Sequence, residues 1–319
     1  MRIVFAGTPE PAVLSLRALV DAGHEVPLVI TRPDAQIGRR RVVTPSPVAT
    51  AADTLGLSMH RTARLDDVAL EAVRAAHADL GVIVAYGGLV REPLLSTPRH
   101  GWINLHFSAL PRWRGAAPVQ HAIIAGDPEV GADVFQLTAG LDEGDIFGEV
   151  RFPRPIEATA GELLATLADA GADLLTTVVG QIADGTARAR PQEGDPSYAP
   201  KLSIEDGRVD WQQSREQIMS RILGVTPEPG AFATAQDARL KILAAVPASF
   251  DAPRLRPGLA TGHSNQVIVG TAGDPIVLVR VQPAGKPAMD AADWWRGTRL
   301  SELQFDADAQ MPGDNGATA

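Results

Sequence analysis

The sequence predicts an α/β fold: a doubly wound, mostly parallel sheet, followed by a smaller β-barrel. Three observations predict it. Strand-like and helix-like stretches alternate through residues 1–189, and such alternation implies parallel pairing through right-handed crossovers. A polar stretch rich in Pro and Gly interrupts the pattern at 190–206, as interdomain linkers do. Beyond it, in 207–305, the apolar runs are short and broken by turn residues, the pattern of a small barrel.

The elements follow in order. Arg2–Ala6 is a short apolar strand, broken by Gly7. Thr8 is the expected helix N-cap, with Pro9 at the first helical position. Val13, Leu16, Ala18, Leu19 and Val20 then space as a helix that ends near Gly23. Glu25–Ile30 is a second strand, and Thr31–Pro47 is a long polar loop. Helices are expected over Pro47–Leu55 and Asp66–Ala76. Leu80–Tyr86 is apolar and β-branched, so it is the expected central strand, and Gly101–His106 is another. A helix at Ala116–Ala125 precedes strands at Ala132–Leu137 and Asp145–Phe152. A capping box, Thr159 to Glu162, opens a long helix that reaches about Asp184. After the linker comes a helix at Ser214–Leu223, then strand-like runs at Leu240–Val246, Val267–Val269 and Ile276–Val281. The acidic, Gly- and Ala-rich tail, 306–319, is expected to be disordered.

Composition narrows the classes. A length of 319 residues makes room for two domains. The absence of cysteine excludes disulfides, thiolate catalysis and Cys-ligated zinc. The apolar run before Gly7 is too short for a signal peptide, and no stretch is expected to reach the length that spans a bilayer. These features predict a soluble cytoplasmic protein. A net charge of −9 argues against a general nucleic-acid face. A local basic patch remains open, and Arg39, Arg40 and Arg41 form one such cluster, which a solvated loop explains equally.

Parallel sheets bind ligands at the carboxyl ends of their strands. That edge is expected to hold Gly7, Tyr86–Gly88 and Asn104–Phe107. Asn104 and His106 stand two apart, so their side chains share a face. Buried without partners, each costs about 1–3 kcal/mol. They are therefore either a functional pair or a pair satisfied by nearby backbone. Asp142 lies in a loop bounded by Gly140 and Gly144. It is either a turn aspartate or a carboxylate placed to meet the imidazole.

Together the two segments carry a resemblance. Asn104-x-His106, the Pro-rich stretch His106-Phe-Ser-Ala-Leu-Pro-Arg-Trp-Arg-Gly-Ala-Ala-Pro and the downstream Asp142 resemble the formyltransferase family. So do Phe5-Ala-Gly-Thr-Pro-Glu, Pro45-Ser-Pro, Tyr198-Ala-Pro-Lys, Glu205-Asp-Gly-Arg-Val-Asp-Trp, Pro229-Gly-Ala and Gln282-Pro-Ala-Gly-Lys. These motifs run to about residue 305.

The resemblance implies a Rossmann-like catalytic domain and an OB-like barrel. It implies transfer of a formyl group from 10-formyltetrahydrofolate to the α-amino group of methionyl-initiator tRNA, without metal, by a monomer. Asn104, His106 and Asp142 become the implied catalytic set. Ser108, Ala109, Leu110 and Pro111, with Tyr86 and Gly87, become the implied folate contacts. Arg39, Arg40 and Arg41 match a loop that touches the acceptor stem, and the barrel is implied to help grip the tRNA. From Asp206 onward there are 11 Lys/Arg and 13 Asp/Glu. A tRNA face there must be a local patch such as Lys241, Arg254, Arg256 and Lys286.

Chemistry agrees with those roles. The intermediate of amine attack on a formyl carbon carries a negative oxygen, which donors at about 2.7–3.1 Å stabilise. Asn104 donates through its amide, and His106 donates when protonated, a form that a nearby carboxylate favours. Asp142 can also take a proton through water. Three other readings stay open. One is formyl transfer to another amine, such as a nucleotide sugar or a purine precursor. Another is a nucleotide-binding oxidoreductase, although Gly7-Thr-Pro-Glu-Pro lacks the Gly-x-Gly-x-x-Gly turn. The last is a non-catalytic tRNA- or folate-binding module.

Overall fold

The computed structural model describes residues 1–37, 41–236 and 238–306. It divides into two compact units. The first comprises residues 1–122, 128–156 and 162–201.

The first unit is built on one seven-stranded sheet. In chain order its elements are β1 (Arg2–Gly7), α1 (Glu10–Asp21), β2 (Glu25–Thr31), the hairpin β3 (Ala35–Ile37) and β4 (Val42–Thr44), and α2 (Pro47–Thr54). Next come β5 (Met59–Arg61), α3 (Asp67–Ala75), β6 (Leu80–Val84), β7 (Trp102–His106), β8 (Arg114–Gly115) and α4 (Pro118–Ala125). Then follow β9 (Glu129–Gln136), β10 (Ile146–Pro153), α5 (Ala160–Ala183) and β11 (Tyr198–Ala199). The strand order is β10-β9-β7-β6-β1-β2-β5. β7, β6, β1, β2 and β5 run parallel, while β9 and β10 are antiparallel additions beside β7. β6 occupies the middle, as its apolar run predicts.

Strand alternation assigns the helices to two faces. Val4, Ala6, Ile83 and Trp102 point to one side, where Leu70 and Val73 of α3 join their cluster. Gly7 and Leu105 point to the other. There Ala12 of α1 lies against Gly7, and Gly171 of α5 lies against Leu105. The sheet is therefore covered on both faces, as parallel sheets are.

Several local expectations change. Thr8 does not cap α1: Pro9 takes the cap position, and the Thr8 hydroxyl is buried without a partner. Thr8 sits one residue too early, so the hydroxyl cannot reach the first free amides. Ser46 instead caps α2, accepting from the Ala49 amide at 3.0 Å, and Asp66 caps α3. The expected polar loop 31–47 contains the β3–β4 hairpin. Short strands are weak signals, which is also why β5 and β8 escape a reading by periodicity. The 24-residue α5 is long and apolar enough to cross a membrane by length and composition, a correction to the expectation that no stretch reaches that size. Its buried residues, among them Leu163, Leu167, Ala168, Ala172, Leu175 and Val179, recur at three- and four-residue spacing. That is the stripe of a helix packed on one side.

The expected linker, 190–206, is largely held in place. Arg190 bridges Ile146, and β11 pairs with β8. Its backbone hydrogen bonds go to β10, to β8 and to the loop before β8, which composition does not reveal.

The second unit includes residues 202–319, described to 306. After α6 (Arg215–Gly224) come β12 (Ala231–Ala235), β13 (Ala238–Pro247), β14 (Leu259–His263), β15 (Gln266–Val269), β16 (Ile276–Pro283), β17 (Met289–Asp290), α7 (Ala291–Thr298) and β18 (Glu302–Gln304). The strands form an antiparallel sheet in the order β12-β13-β16-β15-β14-β18, with β17 on β16. The Asp306 amide, just past β18, donates to the Thr234 carbonyl of β12 at 2.8 Å. That bond brings the two edges together, so the sheet curls on itself around Phe305, Val267, Ile276 and Val281. Helix α7 was not expected; its Trp294 and Trp295 pack against this core. The expected disordered tail lies outside the described residues, apart from Asp306.

Candidate active site

β7 ends at the carboxyl edge of the sheet with Asn104 and His106 on one face. Across the antiparallel pair, Asn104 faces Phe135 and His106 faces Asp133. The His106 ring meets Phe135 edge-on, with centroids 6.3 Å apart. His106 is buried and Asn104 is half-buried.

The chain then folds back over this edge. His106 Nε2 bonds the Trp113 carbonyl at 2.9 Å. A carbonyl only accepts, so Nε2 carries a proton. Trp113 has φ 61°, a left-handed conformation unusual for a bulky residue. The reading of His106 as satisfied by backbone is thus correct for Nε2. It is incomplete for Nδ1, which stands 3.9 Å from Asp142 Oδ2. That is beyond a hydrogen bond and within strong Coulomb range. The side-chain amide of Asn104 has no protein hydrogen-bond partner among the described residues.

Asp142 is also held. Its carboxylate accepts the Gly115 amide at 2.8 Å. Its backbone is left-handed, at φ 47°, a region that Asp tolerates better than most residues. Gly115 stands at φ 124°, and a Cβ there would lie 2.7 Å from the Ala199 carbonyl oxygen. Only glycine lets β8 and β11 approach this closely.

Beneath the loop lies a buried ion pair. Asp133, fully buried on β9, accepts from Arg151 at 2.5 and 3.0 Å and from the Leu110 amide at 2.8 Å. Burial holds its carboxyl above the usual value, and Arg151 and the Leu110 amide offset only part of that rise. The sequence reading missed Asp133, although an acid inside the apolar strand Ala132–Leu137 is itself a signal. It also missed Trp113, Gly115, Arg151 and Gln192. The first two contribute only backbone atoms, which no side-chain pattern reveals.

A cavity of about 510 Å³ opens beside the Asp142 loop, lined by Arg114, Gln136, Thr138, Glu143, Gly144, Asp145, Phe147 and Ala189. Among the described residues, no group of three or more His, Asp or Glu is placed to hold a metal ion.

The family model described as formyl transferase matches residues 1–179, and that of the formyl transferase C-terminal domain matches 201–299. The chain belongs to the formyl transferase family. A methionyl-tRNA formyltransferase of Clavibacter sepedonicus is 57 % identical over 303 residues, covering 95 % of this chain and 99 % of the relative. One from Leifsonia xyli is 58 % identical over 298 residues, covering 93 % and 97 %. Among solved structures, a sugar 3N-formyl transferase superposes with a TM-score of 0.65 at 18 % identity, covering 90 % of this chain and 99 % of that one. A methionyl-tRNA formyltransferase from Clostridium thermocellum gives 0.55 at 15 % identity, covering 79 % and 95 %.

In this formyl transferase, most of the side chains expected to touch folate are packed or hydrogen-bonded within the protein. Ser108 is buried and donates to the Arg112 carbonyl at 2.7 Å. Leu110 packs with Phe135 and Ile146. Pro111 is buried and its carbonyl accepts from the Ser197 amide, while Ala109 is half-buried. The Tyr86 ring joins the core and its hydroxyl donates to the Thr62 carbonyl at 3.0 Å, so the phenol is not turned outward. Gly87 stays exposed, and its carbonyl accepts from Arg32.

Of the residues expected at tRNA, Arg39 and Arg40 lie outside the described residues. Arg41 is exposed and donates to Gln36 at 2.6 Å. Lys241 is exposed on β13, opposite Gln282 of β16. The Gln282 amide holds the Lys286 carbonyl at 3.0 Å, so the two lysines flank one glutamine. Arg254 stands 3.8 Å from Asp274, and Arg256 is exposed.

Proposed function

We propose that this chain transfers the formyl group of 10-formyltetrahydrofolate to the α-amino group of methionyl-initiator tRNA. One observation carries the chemistry: His106 Nδ1 and the Asp142 carboxylate face each other 3.9 Å apart beside the uncommitted amide of Asn104. The acceptor follows from relatives 57–58 % identical over 93–95 % of the chain, each a methionyl-tRNA formyltransferase. The sugar formyl transferase, at 18 % identity, supports only the fold.

The residues divide the work. The amine attacks the formyl carbon, a C–N bond forms, and the formyl oxygen becomes negative. Asn104 donates its amide N–H to that oxygen. His106, fixed at Nε2 by Trp113, offers Nδ1–H as a second donor when it is an imidazolium. Asp142 balances the imidazolium and takes the ammonium proton through a water. The bond from carbon to the folate N10 then breaks, and N10 receives the proton. The donors are set before the charge develops, so no reorganisation is needed at the barrier.

Folate is read as lying along the exposed backbone near Gly87 and Ala109, beside the cavity at Arg114 and Thr138. For the tRNA, Arg39, Arg40, Arg41, Lys241 and Lys286 are read as phosphate contacts. The enzyme is further read as a cytoplasmic monomer that does not touch a membrane; the buried stripe of α5 supports the last point alone.

The test is transfer of labelled formyl from 10-formyltetrahydrofolate to methionyl-tRNA, with free amino sugars and purine precursors as competing acceptors. Label on the tRNA alone is expected, and label on a small amine would overturn the assignment. Asp142→Asn is expected to lower turnover about 10²–10⁴-fold, the usual weight of a positioned acid–base group. An unchanged rate would remove Asp142 from the mechanism.

A further inference from the structure

Gln192 lies in the polar stretch that composition marks as linker, yet its amide is fully engaged in the site. Nε2 donates to the Asp142 carbonyl at 2.8 Å and to the Gly144 carbonyl at 2.9 Å. Oε1 accepts from Arg114 Nη2 at 2.6 Å and Nε at 3.2 Å. One side chain therefore ties the Asp142 loop to β8. The neighbouring Gly115 of β8 holds the Asp142 carboxylate. The clamp grips Asp142 at its left-handed backbone. Such conformations are unfavourable and persist only when the surroundings over-determine them.

We propose that Gln192 is a positioning residue for formyl transfer, holding Asp142 at its distance from His106 through the Asp142 backbone, with Arg114 orienting the Gln192 amide. The proposal rests on the reading of Asp142 given above. Gln192 touches no reacting atom. Its effect runs through where the carboxylate stands.

The test is steady-state formylation of methionyl-tRNA by the full chain, with melting temperature as the check on folding. Gln192→Ala is expected to lower kcat about 10- to 100-fold, the scale of a misplacement near 1 Å. KM for both substrates is expected to stay within about twofold. A residue acting only through Asp142 adds little once Asp142 is gone. In the Asp142→Asn background, the same change is expected to cost less than about threefold. Gln192→Glu keeps the acceptor for Arg114 and sets a carboxylate oxygen against two carbonyls, so kcat falls there too while folding is retained.

A Gln192→Ala or Gln192→Glu enzyme with wild-type kcat overturns the proposal. So does a Gln192→Ala loss that multiplies in full on Asp142→Asn. Slow Asp142→Asn beside fast Gln192→Ala refutes the positioning role and leaves the catalytic reading standing. Fast Asp142→Asn refutes both.

Discussion

His106 Nδ1 stands 3.9 Å from Asp142 Oδ2, and a backbone group holds each partner. The Trp113 carbonyl holds the far side of the imidazole, and the Gly115 amide holds the carboxylate. Residues 113–115 thus set the gap from both ends. A donor aimed at a developing oxyanion must not be spent on its own carboxylate, and the spacing keeps Nδ1 available.

Closing the gap is expected to slow the enzyme. Asp142→Glu adds one methylene and brings the carboxylate into direct contact with Nδ1. Single-turnover formylation is expected to fall about 10- to 100-fold, as near-attack geometry is lost. A Glu variant at wild-type rate would mean that the spacing does not matter.

Asn104 is expected to separate rate from stability. Its amide makes no protein hydrogen bond among the described residues, so Asn104→Ala strands no buried partner. Stability in urea is expected to change by less than about 1 kcal/mol, while kcat falls about 10²–10³-fold through loss of one oxyanion donor. A large stability loss with a normal rate would assign Asn104 to the scaffold.

Asp133 and Arg151 behave the opposite way. Asp133→Ala leaves Arg151 without its buried partner and frees the Leu110 amide, and is expected to cost about 3–5 kcal/mol. Adding Arg151→Met is expected to recover part of that loss. Equilibrium unfolding of the two single variants and the double variant checks the cycle, and strict additivity would show that the pair is not coupled.

Lys241 stands opposite Gln282, whose side-chain amide holds the Lys286 carbonyl. If each lysine meets a phosphate, replacing either by Ala raises KM for methionyl-tRNA and lowers the salt slope of binding by about 1. The kcat for saturating tRNA is expected to hold. A salt slope unchanged in both variants would move the tRNA face elsewhere.

The parallel sheet was legible because β1, β2, β6 and β7 are each written as a local apolar run, and local runs survive without their neighbours. Asn104 and His106 were legible as a pair because two-residue spacing on one strand is itself geometry. Asp142 was legible only as one of two readings. What joins it to His106 is the path of residues 107–116, and that path is held by atoms far along the chain. Ser197 and Ala199 pair with the loop, and Gln192 clamps it.

Residue types and short-range spacing therefore determined the fold class and the chemical groups, and the motifs carried the resemblance to the family. Tertiary structure alone decided which groups meet, at what distance, and which expected contacts are scaffold. Tyr86 shows the limit: a phenol at a ligand-binding edge looks available until Thr62 is found holding it. Side-chain identity travels with the sequence. Backbone donors, acceptors and burial belong to no single residue, because they exist only once distant segments have packed.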